Sequence, residues 1–205
     1  HREIQRIPKG QSLTQRTLEH FHFWNCEDEL REARILPTGY PIGGVTAYGN
    51  LMGDYWYADE GRTPARDYYY TLNERLPQYQ TEAVLRERVK ALPSIKMMLA
   101  HSARRFEQNG NGVKVVVQQE GWPYDEETLE GEYMVGCDGA RSLVRESLGI
   151  DRAGSDFDQK MVLAVLRSKE LHEGLKRFPE RTIYGVLKPE LNGYWQFFGR
   201  VDVGE

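Results

Sequence analysis

Between Tyr133 and Arg145 the chain reads Tyr-Met-Val-Gly-Cys-Asp-Gly-Ala-Arg-Ser-Leu-Val-Arg. This one stretch carries a carboxylate (Asp138), two glycines (Gly136 and Gly139), a hydroxyl (Ser142) and two guanidiniums (Arg141 and Arg145). The apolar residues in front of it predict a strand over 132–135, and the pattern behind it predicts a helix from Leu143 to Leu148. Backbone without side chains lets a ligand come close, and a helix start offers N–H groups to an anion. A dinucleotide, with sugar hydroxyls and a pyrophosphate, suits such a turn. Ser142 reads as the helix cap rather than as a nucleophile, because no His or Asp stands at a spacing that would complete a hydrolase triad. Arg141 and Arg145 either reach phosphate or pair with acids such as Glu146. An Asp-Gly turn closing a strand is common in any α/β protein, so the turn alone does not decide the matter.

Bulk properties narrow the field. A chain of 205 residues can bury one good core or two small ones. The net charge of −4 gives no basic field for nucleic acid or an anionic membrane. No apolar run is long enough to span a bilayer, and the opening His1-Arg2-Glu3-Ile4-Gln5-Arg6 has no apolar leader. Cys26 and Cys137 are far apart and read as reduced thiols of a cytoplasmic protein, although a bridge stays open. His20 and His22 lie at i,i+2, off a common helix face, so no metal is expected.

The elements that must position the turn alternate in kind. Ser12-Leu13-Thr14-Gln15 has the form of a capping box with Ser12 as cap, predicting a helix from Leu13 to Trp24. Residues 37–77 are punctuated by Gly and Pro and rich in aromatic rings. Val45–Tyr48 and Asp54–Tyr57 read there as strands around a turn. A second helix is predicted over Gln80–Leu92, stopped by Pro93, then a short strand over Ile95–Ala100. Asn109-Gly110-Asn111-Gly112 predicts a hairpin between 104–108 and 113–118. Residues 161–167 alternate weakly, and 182–188 with 194–201 predict a further hairpin.

Together these residues resemble the FAD-dependent aromatic hydroxylases, the flavoprotein monooxygenases built like p-hydroxybenzoate hydroxylase. The string from Val135 to Arg145, closed by Gly149-Ile150, is similar to the family's Asp-Gly motif. Gln80-Thr81-Glu82 is similar to the family's flavin-contacting helix start, and Pro8–Glu19 to the segment running into its second helix. The resemblance implies an α/β fold: part of a Rossmann-like FAD-binding domain (1–30 and 78–150) interleaved with a β-sheet substrate domain (31–77 and 151–205). It places Asp138 on the ribityl hydroxyls of FAD, with Gly139, Gln80, Arg141 and Ser142 around the cofactor. Lys9 stands where the family has an Arg, keeping the charge without the bidentate fork. Tyr184, Trp195 and Phe197 are candidates to wall a pocket for the substrate, and packing is the competing reading for each ring. Tyr48, Tyr55, Trp56 and Tyr194 belong to the same aromatic set.

The implied reaction uses NAD(P)H and O2 to hydroxylate a small phenolic ring, with the redox chemistry carried by FAD and no catalytic side chain required. A related flavoprotein (halogenase, epoxidase or prenyl reductase) and a non-catalytic fragment or degenerate homologue are the alternatives. The family's Gly-x-Gly-x-x-Gly fingerprint and its later Gly-Asp motif are absent from the 205 residues. Both ends look cut, so this stretch alone is not expected to hold FAD tightly.

Overall fold

In the computed structural model, residues 2–37, 44–51, 53, 55–56, 66–121, 125–154, 162–177, 181–188, 190 and 195–202 are described, without the side chains of 44, 55–56, 66 and 195–197. In chain order the elements are β1 (Ser12–Leu13), α1 (Gln15–Phe23), α2 (Glu27–Glu32), β2 (Gly44–Tyr48), β3 (Tyr55–Trp56) and β4 (Glu74–Arg75). There follow α3 (Gln78–Lys90), β5 (His101–Asn109), β6 (Gly112–Gln119), β7 (Glu126–Gly131), α4 (Leu143–Ser147), α5 (Lys169–Leu175), β8 (Ile183–Leu187) and β9 (Trp195–Gly199). Two compact units emerge: Ile4–Ile95 with Leu163–Glu205, and Lys96–Val162 with His1–Glu3.

In the larger unit the first helix is capped by Thr14, whose hydroxyl accepts from Thr17 N at 3.2 Å. This corrects the expected cap at Ser12. Ser12 is held in β1, opposite Arg75 of β4, and its backbone serves that ladder instead. Leu18 and Phe21 of α1, Cys26, Leu30 of α2 and Leu76 form one buried cluster, with Val84 and Leu85 of α3 packed on it. Burial of rings and branched chains of this size contributes roughly 1.5–3 kcal/mol each. The short acidic helix α2 was not expected from the sequence, and only its Leu30 is buried. Helix α3 starts two residues before the expected Gln80, with Pro77 at its N-cap, and ends at Lys90 ahead of Pro93.

A four-stranded sheet of order β3-β2-β8-β9 completes this unit. β2 pairs with β8 in parallel, Gly44 opposite Ile183, whereas β2–β3 and β8–β9 are antiparallel as the two hairpin expectations required. Val45, Tyr184 and Leu175 of α5 make its buried centre. Helix α5 was not anticipated. Ser168 caps it, accepting from Leu171 N at 3.1 Å.

The smaller unit is built on the antiparallel meander β5-β6-β7. Asn111 N donates to Asn109 Oδ1 at 2.8 Å in the hairpin turn. Gly112 has φ 139°, and a Cβ there would lie 2.5 Å from Gly131 O, so the turn demands glycine. Two expected strands are absent. Residues 95–100 form no strand, and Ala100 has φ 58°, outside the β region. Residues 132–135 follow β7 but pair with no ladder among the described residues. The expected weak strand at 161–167 is likewise not formed over 162–167, and Met161 lies outside the described residues.

Phe21→Ala should remove the centre of the α1–α2 cluster and lower the unfolding free energy by about 3–5 kcal/mol. Urea denaturation followed by circular dichroism measures this. A loss below about 1 kcal/mol would show that the cluster is not the core.

Candidate functional site

The turn after Cys137 is organised by one carboxylate. Ser142 Oγ donates to Asp138 Oδ1 at 2.5 Å, and Val144 N donates to Asp138 Oδ2 at 3.2 Å. Ser142 is also the N-cap of α4, accepting from Arg145 N at 3.0 Å, as its position in the sequence indicates. The hydrogen bond from Ser142, followed by backbone amides at the start of α4, holds the Asp138 carboxyl below its ordinary range. This arrangement corrects one expectation. The helix start does not offer its amides to a ligand, because Asp138 and Ser142 already engage those of Val144 and Arg145.

The two glycines serve different ends. A Cβ on Gly136 would sit 2.8 Å from Val144 Cβ, so this glycine lets the chain pack against α4. Gly139 has φ 79° and nothing within 4 Å of where a Cβ would be. It makes the turn possible and leaves open backbone beside the carboxylate. Arg145 is engaged internally: Nη1 donates to Ala140 O at 2.8 Å and Nη2 pairs with Glu146 at 3.0 Å. Arg141 is exposed and makes no ion pair among the described residues. Cys137 is an exposed free thiol, while Cys26 is a buried one.

In the other unit the structure brings Lys9 to the start of α3. Lys9 N donates to Gln78 Oε1 at 3.2 Å, Gln78 N donates to Gly10 O at 3.0 Å, and Leu76 N donates to Gln11 O at 2.9 Å. Gln78, missed in the sequence reading, is therefore the glutamine at the helix start in contact with the Lys9 segment. Pro77 in front of it was the signal, since proline favours a helix's opening. Gln80 lies two residues further in and is half-buried, its amide bonded to Pro77 O at 2.9 Å. Arg16 pairs with Glu19 on the surface at 2.6 Å.

The aromatic candidates fall differently. Tyr184 is fully buried in the sheet's core, and its hydroxyl donates to Arg181 O at 2.8 Å. Trp195 and Phe197 stand opposite Leu187 and Gly185 in the β8–β9 ladder. Their side chains, those of Tyr55 and Trp56, and all of Tyr194 lie outside the described residues. Tyr48 is exposed. A groove of about 600 Å³ in the smaller unit, lined by Phe106, Met134, Val144 and Leu148 among others, does not include Asp138. Among the described residues no cluster of His, Cys, Asp or Glu is placed to hold a metal, and no helix is long and apolar enough to cross a membrane.

These residues fit the sugar of a flavin dinucleotide. Held by Ser142 and by backbone amides at the start of α4, the Asp138 carboxylate is nonetheless exposed and lies beside the open backbone of Gly139. Residues 1–184 match the family model described as FAD binding domain, and the chain belongs to that family. Among its relatives is a 12-dehydrotetracycline 5-monooxygenase/anhydrotetracycline 6-monooxygenase of Streptomyces rimosus. It is 36% identical over 124 residues, 60% of this chain and 24% of the relative. A 3-(3-hydroxy-phenyl)propionate/3-hydroxycinnamic acid hydroxylase of Burkholderia cenocepacia is 25% identical over 199 residues, 95% of this chain and 35% of the relative. The chain thus spans a quarter to a third of these relatives' length. The fold is similar to the flavin-dependent monooxygenase PieE solved with FAD and substrate, with a TM-score of 0.74 at 22% identity over 98% of this chain and 35% of that one. The resemblance to flavin-dependent aromatic hydroxylases and the α/β fold are therefore established.

A carboxylate with a depressed pKa adds stability above its ordinary value of 3.8, and that stability is lost as the pH falls through the depressed value. Carboxyl-carbon NMR should find Asp138 titrating below 3.8. In Ser142→Ala the midpoint should rise toward that value. A midpoint that Ser142→Ala leaves unmoved would overturn the pairing.

Proposed function

We propose that this chain serves an FAD-dependent monooxygenase that hydroxylates a small aromatic, phenolic substrate with NAD(P)H and O2. The observation that carries the reading is the Asp138 carboxylate, fixed by Ser142 and Val144 yet exposed beside the open backbone of Gly139. FAD, held by these residues, would supply the redox chemistry that couples NAD(P)H and O2 to hydroxylation of the ring.

The chain's own residues bind and orient. Asp138 accepts from ribityl hydroxyls, and Ser142 keeps that carboxylate ionised and aimed. Lys9 and Arg141, both exposed, offer cations to the pyrophosphate. Gln80, in the first turn of α3, is the side-chain amide assigned to the cofactor. In this reading segments 1–30 and 78–150 serve the cofactor. Segments 31–77 and 151–205 serve the substrate, with Trp195 and Phe197 of β9 as candidate pocket walls and Tyr184 holding the sheet behind them. No side chain is asked to act as nucleophile or general base.

Asp138→Ala in the full-length protein should weaken FAD binding about tenfold or more, the effect of removing hydrogen bonds to a charged group. Flavin absorbance per polypeptide after gel filtration reads it, and unchanged FAD content would refute the role. Product analysis against a panel of phenols, with NADH and NADPH in turn, tests the reaction. Hydroxylated phenol supports it. A halogenated, epoxidised or reduced product, or none, would assign the chain to another flavoprotein reaction or to a non-catalytic role.

A further inference from the structure

Arg75 is almost wholly buried, yet among the described residues no carboxylate pairs with it. Its neighbour Glu74, on the same two-residue strand, is committed to Arg34 at 2.6 Å. Among the described residues the Arg75 guanidinium donates to neutral oxygens. Nε and Nη2 donate to Arg200 O at 3.3 and 3.1 Å, and Nη2 donates to Gln11 Oε1 at 2.6 Å. Burial pulls its pKa down to about 10, so the cation survives without an ionic partner. Placing an unpaired charge in the interior is unfavourable, and a packing role alone would be met by an apolar side chain of similar size.

The bonds run to two places far apart in sequence. Gln11 belongs to the segment whose backbone, with Lys9 and Gly10, lies on the start of α3. Arg200 follows directly on β9, the strand carrying Trp195 and Phe197. Gly199 makes the approach possible: a Cβ there would stand 2.7 Å from Arg75 Nη2. The forked guanidinium can meet one carbonyl with two donors and Gln11 with a third bond, which an ammonium cannot reproduce.

We propose that Arg75 is a positioning residue that fixes the Lys9–Gln11 segment against the end of β9, holding the flavin-binding segment and the substrate sheet in register. This rests on the proposed flavin reading. Arg75 touches neither cofactor nor substrate and acts through Gln11 and Arg200.

The test uses the full-length protein with Arg75→Met, Arg75→Lys and Gly199→Ala. Gly199→Ala leaves every charge in place and displaces only the guanidinium. For each folded variant, apoprotein is titrated with FAD by flavin fluorescence, and NAD(P)H oxidation is compared with hydroxylated product. All three should raise the FAD dissociation constant about tenfold and divert NAD(P)H oxidation to hydrogen peroxide. Arg75→Lys should not rescue Arg75→Met. Wild-type FAD affinity and coupling in Arg75→Lys and Gly199→Ala, with only a lower melting temperature, would overturn the proposal. If Arg75→Met fails to fold, the other two variants decide. Failure of the unaltered protein to bind FAD at all would instead sink the flavin reading itself.

Discussion

Two hydrogen bonds onto the Asp138 carboxylate, from Ser142 Oγ and Val144 N, join the end of an extended segment to the first turn of α4. The surroundings follow from that joint. Gly136 has to lack a side chain because the joint draws it onto Val144. Gly139 takes a positive φ because the chain must reverse between carboxylate and hydroxyl. Arg145 closes the loop from the far side through Ala140 O. A helix of five residues has little stability of its own, so its start depends on side chains that supply the missing hydrogen-bond partners. The same depressed pKa that marks a good cap keeps the carboxylate negative and ready to accept from sugar hydroxyls.

The larger unit solves a similar problem with backbone. The Lys9–Leu13 segment lies along the β4–α3 junction through a short ladder and the bonds Leu76 N to Gln11 O and Gln78 N to Gly10 O. Pro77 has no side-chain hydrogen bond to give the helix, so the Gly10 carbonyl from a distant segment takes that part for Gln78 N. A cation on such a segment is carried by a frame of peptide bonds rather than by its own side-chain contacts. This is consistent with Lys9 being exposed while its amide is fixed.

What could be read from the chain divides along the range of the forces involved. The hairpin at Asn109–Gly112, the β8–β9 pair, the helices around Leu18 and Leu85 and the Ser142 cap depend on neighbours in sequence, and all were legible. The cap at Thr14 was misplaced because Ser12 is claimed by Arg75, a partner the local pattern does not contain. Helix α3 opens at Gln78 rather than at the expected Gln80 because Pro77, not the Gln-Thr-Glu tripeptide, marks its start. The strand expected at 132–135 has the apolar run but, among the described residues, no ladder, since an apolar run does not itself supply a pairing partner. Helices α2 and α5 are too short to show a period. For the site, the turn around Asp138 was plain. The burial of Tyr184 was not, because a tyrosine on a strand suits a pocket wall and a core equally well.

The parallel pairing of β2 with β8, Gly44 beside Ile183, sets an order of events during synthesis. The meander β5-β6-β7 closes over short loops and can form as soon as Gly131 has left the ribosome. β2 must wait, its ladder neighbour β8 still untranslated, until Leu187 has been made. Long-range parallel pairs are slow to form because loop closure precedes any reward from contacts. During that interval the β2 edge that will pair with β8 and the apolar residues around Val45 stand uncovered, which exposes this strand to aggregation before its partner arrives.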